Sequence, residues 1–130
     1  MIALDTNVLV RLLTRDDEVQ AQTAERVMRS DSLFLSRTVL LELVWVLSFT
    51  YRFDRQAIHG AVTRLLGLES LRVEDPETAY LALQWFGEGL DFADALHVAS
   101  SRGADEFATF DRALATGAAG RNGAIPVRLL

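Results

Sequence analysis

The 130-residue chain contains no cysteine, no lysine and only two prolines. Without thiols there can be no zinc–thiolate site, no iron–sulfur cluster, no disulfide staple and no cysteine nucleophile, and the composition fits a reducing compartment. A chain of this length buries roughly two-thirds of the surface its unfolded form exposes, so one domain spanning 1–130 can close a core without such staples. Long hydrophobic runs are also missing, and Asp5 stands where a signal peptide would carry its apolar stretch. The expectation is therefore a soluble cytoplasmic protein with no membrane partner. All thirteen basic residues are Arg, whose planar fork suits phosphate and carboxylate, although the abundance of Ala and Leu makes base-composition bias the simpler origin. Eighteen acidic residues leave a net charge of −5, which on its face argues against a polyanionic partner.

What the chain does have is alternation. Short apolar runs at 2–4, 33–35, 71–73, 106–109 and 125–127 read as strands, separated by stretches of helical period. Helices are expected over 6–13, 18–29, from Ser36 to about Tyr51, from Asp54 to Gly67, from Pro76 to about Phe86, over 91–102 and over 112–115. Asp75-Pro76 reads as an N-cap with proline at the first helical position, and Gly87 and Gly89 break the helix that follows. Pro126 marks the last strand as an edge, because proline cannot donate to a ladder. Strands joined through helices demand a parallel arrangement, so the fold class is α/β: three layers, α/β/α, around a central, mainly parallel sheet of about five short strands. In such folds function gathers at the carboxyl ends of strands.

Four acids stand out there. Asp5 directly follows the first strand and Asp111 the fourth, and each can be explained as a helix N-cap. Glu42 is the single carboxylate inside nine otherwise apolar residues, 39–47, in mid-helix; buried and unpaired it would cost several kcal/mol or titrate to neutral, so a partner cation is expected, either an Arg or a metal. Asp94 lies three residues after Asp91 and could complete a capping box with it. Taken together the four would crowd like charges that repel unless a multivalent cation neutralises them. An all-oxygen cluster suits Mg²⁺ or Mn²⁺, and phosphodiester hydrolysis is the chemistry such an ion serves.

Asp5-Thr6-Asn7-Val8-Leu9, Glu42 within 39–47, Asp91-Phe92-Ala93-Asp94-Ala95-Leu96-His97 and Thr109-Phe110-Asp111-Arg112, in this order, resemble a PIN domain of the VapC toxin type over essentially the whole chain. The resemblance implies a Mg²⁺- or Mn²⁺-dependent endoribonuclease, the toxin of a type II toxin–antitoxin pair, with RNA as substrate and a small VapB-like antitoxin as partner, and a homodimer that enters a hetero-oligomer with the antitoxin. It places the acidic quartet on Asp5, Glu42, Asp94 and Asp111. Asp5 and Asp94 are the metal ligands it implies most directly; Glu42 and Asp111 would complete the site directly or through water, with Asn7 and Thr109 standing behind the ligands.

The remaining polar residues have plainer readings. His97, one turn after Asp94, reads as a structural hydrogen-bonding group, His59 as a surface residue and Asp91 as a cap. Arg11, Arg37 and Arg112 are equally well contacts to RNA phosphate or members of a solvated face. Trp45, Phe49, Tyr51 and Phe53 read as core and its margin, although a helix apolar nearly all round asks for cover that a dimer or antitoxin interface would supply. Two rivals stand beside the nuclease. One is a metal-dependent phosphatase, which Asp5-Thr6-Asn7 disfavours by lacking a second Asp two positions on; the other is a non-catalytic binding module whose acids merely cap and pair.

Overall fold

Every strand pair in the computed structural model, which describes residues 1–130, is parallel. Five strands form, as expected, and they are shared between two sheets, one of three strands and one of two. Strands of two or three residues offer only two or three ladder positions apiece, so each sheet is narrow. The chain divides into two compact units, 1–76 and 77–130.

The first unit runs β1 (Ile2–Ala3), α1 (Thr6–Thr14), α2 (Glu18–Met28), β2 (Leu33–Leu35), α3 (Arg37–Phe49), α4 (Arg55–Leu66) and β3 (Leu71–Val73). Its sheet order is β1-β2-β3, with Ile2 opposite Leu33 and Leu35 opposite Val73, and two helices make each crossover, as parallel pairing requires. Period-two burial is clear in β3, where Leu71 and Val73 are buried and Arg72 is exposed. The helix starts follow from local chemistry. The Ser36 hydroxyl accepts from the Val39 N–H at 3.3 Å and the Asp54 carboxylate from the Ala57 N–H at 2.8 Å, each satisfying a donor the helix cannot. Leu9, Leu33, Leu35, Leu40, Leu43, Leu47, Ile58 and Val62 are all buried and supply the core.

The second unit holds α5 (Pro76–Gly87, entered from the end of the first unit), α6 (Phe92–Ser100), β4 (Phe107–Thr109), α7 (Arg112–Ala118) and β5 (Val127–Leu129). Its core is Ala79, Ala82, Trp85, Phe92, Ala95, Val98 and Ala99. The fully buried Trp85 donates its indole N–H to the Asn122 carbonyl at 3.3 Å, and Phe86 meets Phe92 edge to face at 5.6 Å. Gly89, at φ +114°, makes the reversal between α5 and α6 that a side chain would strain.

Two expectations are corrected. Asp75 does not adopt the extended backbone of an N-cap: its φ is +46°, and its carboxylate lies 3.6 Å from Arg37. The last strand begins after Pro126 rather than before it. Proline contributes what it can, its carbonyl accepting the Phe107 N–H at 2.8 Å, and the ladder then continues through residues that can donate. No helix is long and apolar enough to cross a membrane.

Candidate acidic site

In the first unit Asp5 is exposed and caps α1, its Oδ1 accepting from the adjacent Thr6 N–H at 2.7 Å; the capping reading is realised, and the second carboxylate oxygen stays uncommitted. Beside it the Thr6 hydroxyl is buried with no hydrogen-bond partner, an orphan that the sequence did not single out. Asn7 is exposed on the first turn of α1, its amide likewise unpartnered.

Glu42 corrects the expectation of a buried carboxylate. It is exposed and in no ion pair, because the helical period places Thr38, Glu42, Trp45 and Phe49 together on the outer face of α3 while Leu40, Leu43, Val44 and Leu47 turn inward. Trp45 and Phe49 are accordingly not core: they are 56% and 65% exposed, their rings 5.4 Å apart.

The second unit gathers its acids. Asp91 caps α6 by accepting from the Asp94 N–H at 3.1 Å, and Asp111 caps α7 by accepting from the Leu114 N–H at 3.1 Å. The Asp94 carboxylate does not reach back to complete a capping box. It is half-buried on the first turn of α6 with no hydrogen-bond donor, and α6 packs against α7. Its pKa is raised, first by desolvation and then by the charges of Asp91 and Asp111, with His97 opposing. His97 is exposed on the next turn, and its imidazole makes no hydrogen bond in the fold, contrary to the structural role expected of it. Thr109 is placed to position Asp111: its hydroxyl accepts the Asp111 N–H at 2.9 Å. His59 is half-buried rather than on the surface.

Two of the three singled-out arginines are internally engaged. Arg11 binds Asp16, Gln20 and the Tyr51 hydroxyl, and Arg37 pairs with Glu74 at 3.4 Å, whose own pKa is lowered first by the Arg37 backbone N–H. Only Arg112 stands exposed without a partner.

No three Asp, Glu or His side chains converge closely enough to form a ready metal cage. The donor chemistry nevertheless fits a hard cation. A half-buried carboxylate with no donor, held beside two further carboxylates, gains from a positive charge and offers only oxygen, which is what an ion that keeps most of its own water asks of a protein.

The model of the PIN domain family matches residues 2–119, a span that takes in Asp5, Glu42, Asp94 and Asp111. The chain belongs to the PIN domain family. This PIN domain is 32% identical over 79 residues to the VapC ribonuclease of Aquifex aeolicus (strain VF5), an alignment that covers 57% of this chain. It spans only 58% of that relative's length. No solved structure matches the chain.

Proposed function

We propose that this PIN domain is a Mg²⁺- or Mn²⁺-dependent endoribonuclease, the cytoplasmic toxin of a VapBC-like type II pair, held inactive by a VapB-like antitoxin. The observation that carries this reading is Asp94, a half-buried carboxylate without a donor, its charged form disfavoured first by desolvation and then by Asp91 and Asp111. Support comes from family membership and from the likeness to a VapC ribonuclease. Asp5 and Asp94 are the ligands in this reading, with Glu42 and Asp111 acting directly or through water. When bound, the ion supplies a water of lowered pKa and positive charge for the phosphoryl oxygens. The chain's own part is positional. The Thr6 N–H fixes one oxygen of Asp5, the Thr109 hydroxyl and the Leu114 N–H fix Asp111, and burial keeps Asp94 from collecting other donors. The exposed pair Trp45 and Phe49 offers apolar surface to the antitoxin or to a second copy of the chain. The test is cleavage of single-stranded RNA by antitoxin-free protein in Mn²⁺, in Mg²⁺ and in EDTA. Equal rates in metal and in EDTA would remove the metal from the mechanism, and no cleavage under any condition would remove the nuclease.

A further inference from the structure

Between α1 and α2 lies a groove of about 420 Å³, lined by Asn7, Val8, Arg11, Gln20, Thr23, Ala24 and Val27. It starts on the first turn of the helix that Asp5 caps. Its floor is apolar, from Val8, Ala24 and Val27, and its walls carry a guanidinium and two carboxamides.

The hydrogen bonds fix which of those polar groups are free. Arg11 donates through Nε to Gln20 Oε1 at 2.7 Å and through Nη1 to Asp16 at 3.0 Å and to the Tyr51 hydroxyl at 3.3 Å. An arginine can only donate, so this contact sets the orientation of the Gln20 amide: its oxygen is occupied and its NH₂ is left over. Arg11 Nη2 has no partner in the fold either. Two unused donors therefore flank one hydrogen bond, on a guanidinium already clamped from two sides, and the Asn7 carboxamide stands free one turn away. Donors held this way lose little freedom on binding a ligand.

Two fixed donors side by side call for two acceptors side by side on a flat edge, above a body that an apolar floor can hold. Guanine presents that pattern at O6 and N7, whereas adenine's corresponding edge has one acceptor and one donor and cytosine's has a donor. Single-stranded RNA splays its bases out for such edge recognition. We infer that the α1–α2 groove is a guanine-selective base pocket for single-stranded RNA, with Arg11 and Gln20 reading the base edge. The inference rests on the ribonuclease reading and names the substrate feature that this part of the chain selects.

The experiment measures equilibrium binding of labelled five-nucleotide RNAs, uridine except for one varied central base, in EDTA so that nothing is cut. Wild type is expected to bind the central-guanine RNA about tenfold more tightly than the other three. Gln20→Met removes a reading donor, and Thr23→Met obstructs the groove from an exposed position. Both should reduce the preference to about twofold or less by weakening the central-guanine complex, with an unchanged melting temperature as the check that the fold is intact. Equal binding of the four RNAs by wild type, or a preference that survives both variants, overturns the pocket. A change in sedimentation of the two variants, with the base preference intact, would make the groove an interface between copies and overturn it as well. The same RNAs incubated with Mn²⁺ separate the two readings: base preference without cleavage sinks the nuclease alone, and cleavage without base preference sinks the pocket alone.

Discussion

The acids of the two units began with the same signature, a carboxylate beside a strand end or on an apolar helix, yet they stand in different electrostatic surroundings. In the first unit Asp5 and Glu42 are exposed and each lacks a charged partner. In the second, the half-buried Asp94 lies in the fields of Asp91 and Asp111. The difference has a structural cause. The acids of the second unit sit at the N-termini of α6 and α7, two helices that pack on each other and bring those carboxylates near Asp94, whereas Asp5 caps α1 alone and Glu42 lies on the outer face of α3. What makes a carboxylate a strong candidate is therefore the company it keeps once the helices have packed, and the apolar sequence around it is a poor guide.

The largest expected effect is on cleavage. Asp94→Asn preserves shape but removes the one crowded, donor-free carboxylate, and RNA cleavage in Mn²⁺ should fall by about a hundredfold or more. Asp5→Asn should do the same while α1 keeps a competent cap, since Asn serves as an N-cap nearly as well as Asp. If Asp94→Asn were silent and Asp5→Asn were not, the contrast between the units would be reversed. Metal binding sharpens it further. Mn²⁺ should stabilise wild type by RT ln(1 + [L]/Kd), roughly 2.7 kcal/mol at a hundredfold excess over Kd, and so raise its melting temperature, and Asp94→Asn should abolish the rise. Glu42→Gln, an exposed change, should leave the stability of the metal-free protein within about 0.5 kcal/mol of wild type in chemical denaturation.

A smaller effect tests positioning. Thr109→Val removes the hydroxyl that accepts the Asp111 N–H at 2.9 Å, leaving the Leu114 N–H as the contact that orients Asp111. Cleavage should drop by about tenfold, with Thr109→Ser restoring it, because a serine hydroxyl can accept the same bond. A loss that serine does not rescue would point to packing of the threonine methyl instead.

Much of this was readable from local chemistry. Ser36, Asp54, Asp91 and Asp111 cap the helices expected of them because a cap needs only its own next three residues. Glu42 misled because composition was read where periodicity decides: nine residues that look like a core segment form a helix whose outer face carries Thr38, Glu42, Trp45 and Phe49. The Arg37 pairing with Glu74 joins residues 37 positions apart and has no local trace, and the left-handed Asp75 departs from a cap for the same reason. The crowding of Asp94 was legible only as a sum of charges whose meeting depends on the packing of α6 and α7.

The smallest effect tests that crowding in the protein without metal. The Asp94 pKa is raised above its ordinary value, so between the unfolded and folded pKa values the native state holds a proton the unfolded state has lost. Stability contributed at this position therefore falls as pH rises through that window, and the penalty is complete once pH exceeds the folded pKa. Asp94→Asn carries no charge to repel. In EDTA its stability relative to wild type should be lowest at acid pH, where the wild-type carboxyl is protonated, and should climb as pH rises from about 3.9 towards neutrality. Urea unfolding of both proteins across that range reads the difference directly. A gap that stays constant with pH would mean that neither burial nor the charges of Asp91 and Asp111 raise the Asp94 pKa, and the electrostatic contrast between the two units would then fall.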